Sequence, residues 1–254
     1  MRVLNWPTCY NVRDLGGLAT KSGQKIKPGT LVRADNLSRL TQEGHKALRS
    51  DGVRTVIDLR SPEELGQETY PFSMADASKP VYLNLPFEDR QHPNMAQMNA
   101  TRSVSAKYGL MLDHFKHNVG VILTAFSDAQ PGGVAFHCQA GKDRTGLIVA
   151  LLLSIAGVPV QTIAEDYAVS EAALRPLYEK LVVDAGNNPS KIAQLPPEPV
   201  ATPETMLTVF DDLTLKYGNV ERYVRQTGIT DQTLMTIQTR LLENDYGTIN
   251  LKTD

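Results

Sequence analysis

A cysteine and an arginine separated by five residues are the part of the sequence best suited to chemistry. They are Cys138 and Arg144, within the stretch VAFHCQAGKDRTG at 134–146. The apolar residues before the cysteine predict a buried strand, and Leu147–Ala156 predicts a buried helix. A strand, a glycine-containing loop and a helix N-terminus together collect backbone N–H groups around an anion. Because this loop also carries a thiol and a guanidinium, it predicts covalent chemistry on a phosphate group.

The five residues between the cysteine and the arginine give the loop the length to wrap one tetrahedral anion. Their backbone N–H groups can converge on the phosphate oxygens while Arg144 binds two of those oxygens at once. Gly141 suits a turn that requires a positive φ or a close approach of two backbones. The predicted phosphate-binding residues are Gln139, Ala140, Gly141, Lys142, Asp143 and Arg144.

The surroundings of Cys138 are predicted to favour its thiolate form. Backbone N–H groups and the positive end of a helix that begins near Thr145 both stabilise a negative charge. The Thr145 hydroxyl is expected to donate to the sulfur. His137 precedes the nucleophile, and we expect it to hydrogen-bond loop carbonyls and to tune the thiol without carrying protons. The alternative is a structural cysteine that is simply buried ahead of a helix.

The string HCQAGKDRTG resembles the active-site signature of the cysteine-dependent protein tyrosine and dual-specificity phosphatases. Its GKDRTG form is similar to the atypical bacterial branch, which includes the mycobacterial secreted phosphatase B and the Listeria lipid phosphatase. Weaker similarities to the family lie at 11–17, 31–40, 53–64, 81–89 and 203–243. The resemblance implies a phosphomonoester hydrolase with a phosphocysteine intermediate, acting on phosphotyrosine and also on phosphoserine, phosphothreonine or phosphoinositides.

Two aspartates are candidates for the acid that protonates the leaving group. The resemblance places a mobile acid loop at LPFED, which ends in Asp89, whereas lipid-acting relatives carry an aspartate inside the phosphate loop, as Asp143 does here. A carboxyl group that faces a bound dianion keeps its proton more readily, as an acid must. We favour Asp143 because it lies within a rigid loop, and Asp89 stays open as the alternative.

Lys142 adds a positive charge at the rim of the predicted pocket. Relatives with a lysine in this place include lipid phosphatases, so the resemblance implies a second phosphate contact for an inositol ring. The alternative is that Lys142 only pairs with Asp143 or Asp58.

Charged residues outside the loop are predicted to support the site. Arg13, Asp14 and Asp35 form either a fixed network that braces it or a set of solvated loop residues. Asp58 and Arg60 stand at the end of a predicted strand. We expect them to form an ion pair with a structural role.

Four short strands and the helices between them predict an α/β fold, with a mainly parallel sheet of four or five strands flanked by helices. The predicted strands are Leu31–Ala34, Val53–Leu59, Val81–Leu85 and Val134–Phe136. In such sheets the ligand lies at the carboxyl end of the strands, where the loop at Cys138 also falls. The expected fold is similar to that of the dual-specificity phosphatases, with additional C-terminal helices.

The rest of the chain is predicted to complete one phosphatase domain over 1–254. Residues 86–105 are expected to form a loop or lid, because Arg90–Ser105 shows no periodicity. One amphipathic helix is predicted over Ala106–Phe126. A linker rich in Asn and Pro follows at 186–202, and helices complete the chain at 203–243.

Composition narrows the classes of function. A net charge of −2, a pI near 6.2 and 41% hydrophobic residues describe an ordinary globular protein with no general attraction to nucleic acid. No carboxylate and histidine set stands at metal-ligand spacing, and His114 with His117 lacks a third ligand, so we expect neither metal nor cofactor. The first residues lack the apolar core of a signal peptide. We therefore expect a cytoplasmic protein without a membrane span, although relatives in this branch include exported proteins.

Two other functions use similar residues. A rhodanese-like sulfurtransferase also places a cysteine in an anion-binding loop, but its loop differs in size. A phosphate-reading pseudophosphatase would be expected to lack the cysteine, the arginine or the acid, and all three are present here. The second cysteine, Cys9, has an open redox role, including a disulfide with Cys138.

Overall fold

The computed structural model describes residues 1–66, 80–186 and 188–243 of the chain. Within these residues the strands are Arg2–Val3 (β1), Arg13–Asp14 (β2), Leu31–Ala34 (β3), Val53–Asp58 (β4), Val81–Asn84 (β5) and Gly133–His137 (β6). They form one sheet in the order β1-β2-β3-β6-β4-β5. The neighbouring strands β3, β6, β4 and β5 run parallel to one another. Strands β1 and β2 extend the sheet beyond β3 in antiparallel pairing. The predicted α/β class is confirmed. In the described residues the sheet has six strands, because the two-residue strands β1 and β2 add to the four strands that were predicted.

Helices cover both faces of this sheet. In the described ranges they are Gln42–Ser50 (α1), Pro62–Leu65 (α2), Met95–Ala100 (α3), Val104–His114 (α4), Lys116–Asp128 (α5), Asp143–Ile155 (α6), Val160–Asp184 (α7), Pro189–Ile192 (α8), Pro203–Tyr217 (α9), Val220–Arg225 (α10) and Asp231–Leu241 (α11). Thr41 stands directly before a helical pattern, as an N-cap residue does, and its side chain accepts from the Gly44 N–H. Ser61 caps α2 in a capping box closed by Glu64, which the SPEE string at 61–64 is typical of.

The segment 86–105, expected to form a loop or lid, is not a continuous loop, and its role as a lid stays a prediction. The segment contains α3 and the start of α4, and Met98 of α3 is buried at 1% exposure. Burial of one side chain against the core stabilises a helix that has no periodic pattern of its own. The single helix predicted over 106–126 is also divided, because Phe115 leaves the helical region with φ −109° and ψ 29°. Its ring packs edge-on against Phe87, with centroids 6.5 Å apart.

Alternate side chains of the central strands point to opposite faces, so the sheet has a core on each side. Val32, Val56 and Ala135 pack on the face that carries α1, together with the buried Trp6 and Leu48. The larger core lies on the other face and includes Leu31, Ile57, Val134, Phe136, residues of α6, and Phe210, Tyr223 and Ile237 of the C-terminal helices. Helix α6 is buried along 147–153 on every side, as its continuous apolar run predicts.

The C-terminal helices predicted at 203–243 are confirmed as α9, α10 and α11. The predicted linker at 186–202 contains the short helix α8, and its residue 187 lies outside the described residues. No helix in the described ranges combines the length and apolar character that a bilayer span needs. The single domain over 1–254 and the cytoplasmic location stay predictions.

The strand register gathers the ends of four strands at one edge of the sheet. His137 of β6 lies opposite Ala34 of β3 and Asp58 of β4, and Asp58 lies opposite Asn84 of β5. The residues that follow these positions therefore meet at the carboxyl edge of the parallel strands, and Cys138 is among them.

Candidate active site

The loop that carries the predicted nucleophile connects the central strand to the central helix. Cys138 follows β6 directly and is only 2% exposed. Helix α6 begins at Asp143, two residues before the start expected near Thr145. Asp143 and Arg144 therefore lie in the first helical turn, where N–H groups have no acceptor within the helix. The positive end of α6 faces the loop and favours an anion there.

The carbonyl groups of the loop are held from outside by the N-terminal part of the chain. The bonds run from the Asn36 N–H to Gln139 (3.2 Å), from Asn11 Nδ2 to Ala140 (3.0 Å), and from Arg33 Nη2 to Gly141 (2.7 Å) and Lys142 (3.4 Å). The C=O and N–H of a trans peptide point in opposite directions. Carbonyls engaged on the outer side therefore leave the loop N–H groups to face the other way, as anion binding requires.

Gly141 occupies a position that other residues would strain. Its φ is +64°, and a Cβ built there would lie 2.2 Å from the carbonyl oxygen of Ala34. Both reasons given by the sequence analysis, a positive φ and a close backbone approach, apply at this residue.

A buried ion cluster fixes the residues that hold the loop. Asp166 of α7 accepts from Arg13 Nε at 2.7 Å and from Arg33 Nη1 at 2.6 Å, and all three side chains are at most 2% exposed. Burial opposes ionisation of this carboxyl group, but the two guanidiniums hold the pKa of Asp166 below its usual range. Arg13 is therefore part of a fixed network, and its carboxylate partner is Asp166, which the sequence analysis did not select.

Asp14 and Asp35, the other two residues of the predicted network, bind backbone N–H groups. Asp14 accepts from the N–H groups of Gly16 and Gly29 at 2.9 Å, and Asp35 accepts from those of Tyr10 and Asn11 at 3.0 Å. Burial raises the pKa of Asp35. These bonds order the turns next to the loop, so the alternative of merely solvated residues is wrong for both aspartates, which are at most 3% exposed.

The guanidinium of Arg144 is held by a carboxylate from α2. Glu64 accepts from Arg144 Nη1 at 2.5 Å and from Nη2 at 2.8 Å, while the same carboxylate closes the helix cap on the Ser61 N–H at 2.9 Å. Burial works against ionisation of Glu64, but the bonds from Arg144 lower the pKa of Glu64 to about 2. Glu88 lies 3.7 Å from the same guanidinium. The Glu64 carboxylate and the Arg144 guanidinium therefore stay charged, and their two hydrogen bonds fix the orientation of the Arg144 side chain.

His137 lies directly behind the nucleophile in a fully buried cluster. Its Nδ1 is 3.3 Å from the Cys138 carbonyl oxygen, and its Nε2 is 3.4 Å from Asp58 Oδ2. Asp58 also pairs with Arg60 at 2.8 Å and accepts from the Tyr82 hydroxyl at 2.9 Å. Burial lowers the pKa of His137 to about 4, so the imidazole is neutral near pH 7. The cluster fits the structural ion pair expected for Asp58 and Arg60.

The two candidate acids have different surroundings. The Asp143 side chain is 41% exposed and accepts a hydrogen bond from the Tyr108 hydroxyl of α4. Asp89 lies in the turn after β5, exposed to solvent, and accepts the Gln91 N–H at 2.8 Å. It lines a cleft of about 340 Å³ beyond β5, together with His117. Of the two carboxylates, only Asp143 is part of the loop that carries Cys138.

Lys142 is engaged on the outer side of the loop. Its Nζ donates to the Val200 carbonyl oxygen at 3.0 Å and lies 3.5 Å from Asp143 Oδ1. Lys142 thus contacts the linker at Val200 and pairs with Asp143, the first of the two aspartates named as possible partners. Asp58 is buried beneath His137 with other partners.

The two cysteines lie in different surroundings. The predicted bond from Thr145 to the sulfur is not formed, because the buried Thr145 hydroxyl has no hydrogen-bond partner among the described residues. Cys9 and Cys138 are both free thiols. Cys9 Sγ lies 3.8 Å from the Asn36 carbonyl oxygen, and burial together with Asp35 raises the pKa of Cys9 well above its usual value. Cys9 is thus held as an unreactive thiol.

Residues that the sequence analysis did not assign to the site complete it: Asn11, Glu64, Tyr108, Asp166 and Tyr167. In sequence, Glu64 is typical only of a helix cap, in the SPEE string at 61–64. Asp166 and Tyr167 lie on the same buried part of α7 as Ile163 and Ala164, and polar side chains on an otherwise apolar face are the signal that could have indicated a role.

Comparisons with known proteins find relatives of this chain among the tyrosine phosphatases. A model of a family described as the tyrosine phosphatase family matches residues 4–243. A tyrosine-protein phosphatase of Nostoc commune is 28% identical over 221 residues, which are 85% of this chain and 75% of that protein. The triple specificity protein phosphatase PtpB of Mycobacterium tuberculosis is 30% identical over 212 residues, which are 71% of this chain and 74% of that protein.

Proposed function

This chain belongs to the tyrosine phosphatase family and is a protein-tyrosine phosphatase, and from that premise we propose that it acts through a phosphocysteine formed on Cys138. The observation that carries the proposal is the loop from Cys138 to Arg144, whose carbonyls are held outward by Asn11, Arg33 and Asn36. Such a loop offers its N–H groups to the equatorial oxygens of a phosphoryl group beside a sulfur nucleophile.

Arg144 is proposed to bind the phosphate with the edge that Glu64 leaves open. A guanidinium has five N–H donors, and Glu64 takes one from each terminal nitrogen. The Nε–H and a second N–H on Nη2 form a separate edge that can reach two phosphate oxygens. In the first step the S–P bond forms, the P–O bond to the leaving group breaks, and the loop stabilises the charge on the transferred group.

Asp143 is our preferred acid for the leaving oxygen. It is half-exposed, lies next to Arg144 and is held by a hydrogen bond, whereas Asp89 is exposed and bonded within its own turn. Water then attacks the phosphocysteine, Asp143 takes a proton from that water, and the S–P electron pair returns to sulfur.

Replacing each aspartate by Asn separates the two assignments. For Asp143→Asn we expect turnover of poor leaving groups to fall about 100-fold, the lower end of what a general acid contributes, with a small effect on activated aryl esters. Asp89→Asn serves as the matched variant and should resemble the wild type. The opposite ranking would assign the acid to Asp89.

The substrate class is proposed to be phosphotyrosine in proteins, with phosphoserine, phosphothreonine or phosphoinositides in addition. The name of the mycobacterial relative states a triple specificity for that protein. On the basis of the GKDR string at 141–144, we propose a similarly broad range of substrates for this chain. Lys142 would release the Val200 carbonyl to meet a second phosphate of an inositol ring. Lys142→Ala should then lower the ratio of phosphoinositide to phosphotyrosine turnover, and an unchanged ratio would remove the phosphoinositide proposal.

The decisive experiment captures the covalent intermediate. Rapid quenching of turnover with p-nitrophenyl phosphate, followed by mass spectrometry, should find phosphate on Cys138, and Cys138→Ser should show neither the adduct nor a burst of p-nitrophenol. Absence of any adduct on the wild-type sulfur during turnover would reject the mechanism. Thiocyanate formation from thiosulfate and cyanide would instead favour the sulfurtransferase.

A further inference from the structure

A buried tyrosine holds one oxygen of the preferred acid. The Tyr108 hydroxyl donates to Asp143 Oδ1, and Tyr108 belongs to α4, a different element from the loop. Tyr108 is 1% exposed, while the Asp143 side chain is 41% exposed. The carboxyl group is therefore accessible to a substrate and at the same time bonded to a donor fixed in the core.

A second buried tyrosine supports the first. The hydroxyl of Tyr167, on α7, is 2.9 Å from that of Tyr108, and the two rings pack edge to face with centroids 6.2 Å apart. A Cβ on Gly146 would lie 3.1 Å from the Tyr167 ring, so this ring lies against the first turns of α6. Three helices thus converge on one chain of hydroxyl groups that ends at Asp143.

The direction of donation along this chain follows from the number of protons. Burial raises the pKa of Tyr108 well above its usual value and that of Tyr167 to about 12, so each phenol keeps its single proton at neutral pH. Tyr108 uses its proton on Asp143 Oδ1. Tyr167 must then donate to Tyr108, and the order is Tyr167 to Tyr108 to Asp143.

We propose that Tyr108, supported by Tyr167, is a positioning residue for the leaving-group acid: its bond to Oδ1 fixes the carboxyl group so that Oδ2 carries the proton. This inference rests on the proposed function, in which Asp143 is that acid. As the P–O bond breaks, the electron pair moves to the leaving oxygen, which takes the proton from Oδ2. Tyr108 keeps its own proton in both steps.

Among the described residues, the groups that face Asp143 are the Tyr108 hydroxyl from α4, with Tyr167 of α7 behind it, and the Lys142 ammonium 3.5 Å from Oδ1. Of these groups, only the Tyr108 hydroxyl is a donor to Asp143 that is fixed in the core. Removing it leaves Oδ1 without that donor, so the carboxyl group should lose its fixed orientation.

The test is Tyr108→Phe, which keeps the ring, measured with phosphate esters of graded leaving-group pKa. We expect kcat/KM to fall about tenfold for alkyl esters such as phosphoserine peptides, a fraction of the whole contribution of a general acid. The most activated aryl esters should change less than about twofold, so the dependence on leaving-group pKa becomes steeper. Tyr167→Phe should act in the same direction with a smaller effect.

Tyr223→Phe is the matched control. It removes a buried tyrosine hydroxyl that also bonds α4, at the Leu112 carbonyl oxygen at 2.8 Å, away from Asp143. We expect its dependence on leaving-group pKa to match the wild type.

Two outcomes overturn the inference. If Tyr108→Phe and Tyr167→Phe both keep the wild-type dependence on leaving-group pKa while Asp143→Asn changes it, the tyrosines do not position the acid. If Asp143→Asn itself keeps the slope, the acid is elsewhere and the inference falls with it. Capture of phosphate on Cys138 tests the hydrolase proposal separately, because it depends on neither tyrosine.

Discussion

Arg144 illustrates at the level of single residues how a reactive group depends on a partner far away in sequence. Its guanidinium is bonded at both terminal nitrogens by Glu64, and Glu88 lies nearby. Without that carboxylate a long side chain would have many rotamers, and fixing it on binding would cost side-chain entropy. We infer that Glu64 keeps Arg144 in the position where phosphate can meet it.

Glu64→Gln should therefore weaken substrate binding more than it slows the chemical step. A neutral amide keeps the shape and the helix cap but gives weaker bonds than a carboxylate. We expect kcat/KM to fall about tenfold, which corresponds to about 1.4 kcal/mol, mainly through a higher KM in steady-state kinetics. Glu63→Gln, an exposed change on the same helix, is the control. Unchanged kinetics in Glu64→Gln would show that Arg144 is fixed without it.

His137 predicts a pH-dependent stability. Burial lowers its pKa from 6.5 to about 4, so between these values the unfolded chain binds a proton more readily than the folded one. The stability contributed by the neutral imidazole is complete above pH 6.5 and is lost as the pH falls towards 4. We expect about 2 kcal/mol to be lost between pH 7.5 and 5.

Urea unfolding of the wild type and of His137→Gln at both pH values measures this loss. The variant should lose about 2 kcal/mol less than the wild type over the same interval. His117→Gln, at an exposed position, should retain the wild-type difference. Equal losses in His137→Gln and the wild type would contradict the assignment.

At the level of elements, the catalytic loop depends on how closely β3 approaches it. Gly141 has a φ of +64°, and the Ala34 carbonyl oxygen occupies the space that a Cβ would need, at 2.2 Å. A side chain there cannot be accommodated by a rotamer change, because the obstacle is backbone. The loop can only move away from β3, and that movement would break the bond from Arg33 to the Gly141 carbonyl.

Gly141→Ala should therefore lower kcat/KM by about 100-fold, as expected when catalytic groups are displaced by about 1 Å, and lower the free energy of unfolding by about 2 kcal/mol. Gly23→Ala is a suitable control, because Gly23 also has a positive φ, +88°, but nothing within 4 Å of its Cβ position. It should lose some stability and keep full activity. Full activity in Gly141→Ala would show that the close approach to β3 is not needed.

At the level of the whole molecule, Asp166 connects α7 to two N-terminal strands. It pairs with Arg13 of β2 and Arg33 of β3, and Arg33 in turn binds the loop carbonyls. Replacing the shared carboxylate by an amide would leave two buried guanidiniums facing a neutral group in its place. Loss of one partner of a buried ion pair costs about 3–5 kcal/mol.

Asp166→Asn should lower the free energy of unfolding by about that amount in urea titrations, and activity should fall because the loop loses its support. Asp184→Asn on the same helix removes a pair with Lys180 in which both side chains are 58% exposed, and we expect less than about 1 kcal/mol. A loss of similar size in the two variants would contradict a central role for Asp166.

The sequence by itself determined the features that depend on neighbouring residues. The apolar run before Cys138, the caps at Thr41 and Ser61, and the glycine at 141 each act over a few positions, so strand, helix starts and loop could be predicted locally. The spacing of Cys138 and Arg144 also defines a phosphate loop wherever the chain folds it, and for this reason the chemistry could be predicted before the fold was known.

Only the tertiary structure decided which distant side chains complete that loop. Glu64 meets Arg144 across 80 positions, Tyr108 meets Asp143 across 35, and Arg33 meets Asp166 across 133. No periodicity encodes these pairs, because each depends on the strand order and on how α4 and α7 pack against α6. Helix α3 at Met95–Ala100 was missed for the same reason: its stability comes from burial against the core, which no local pattern reports.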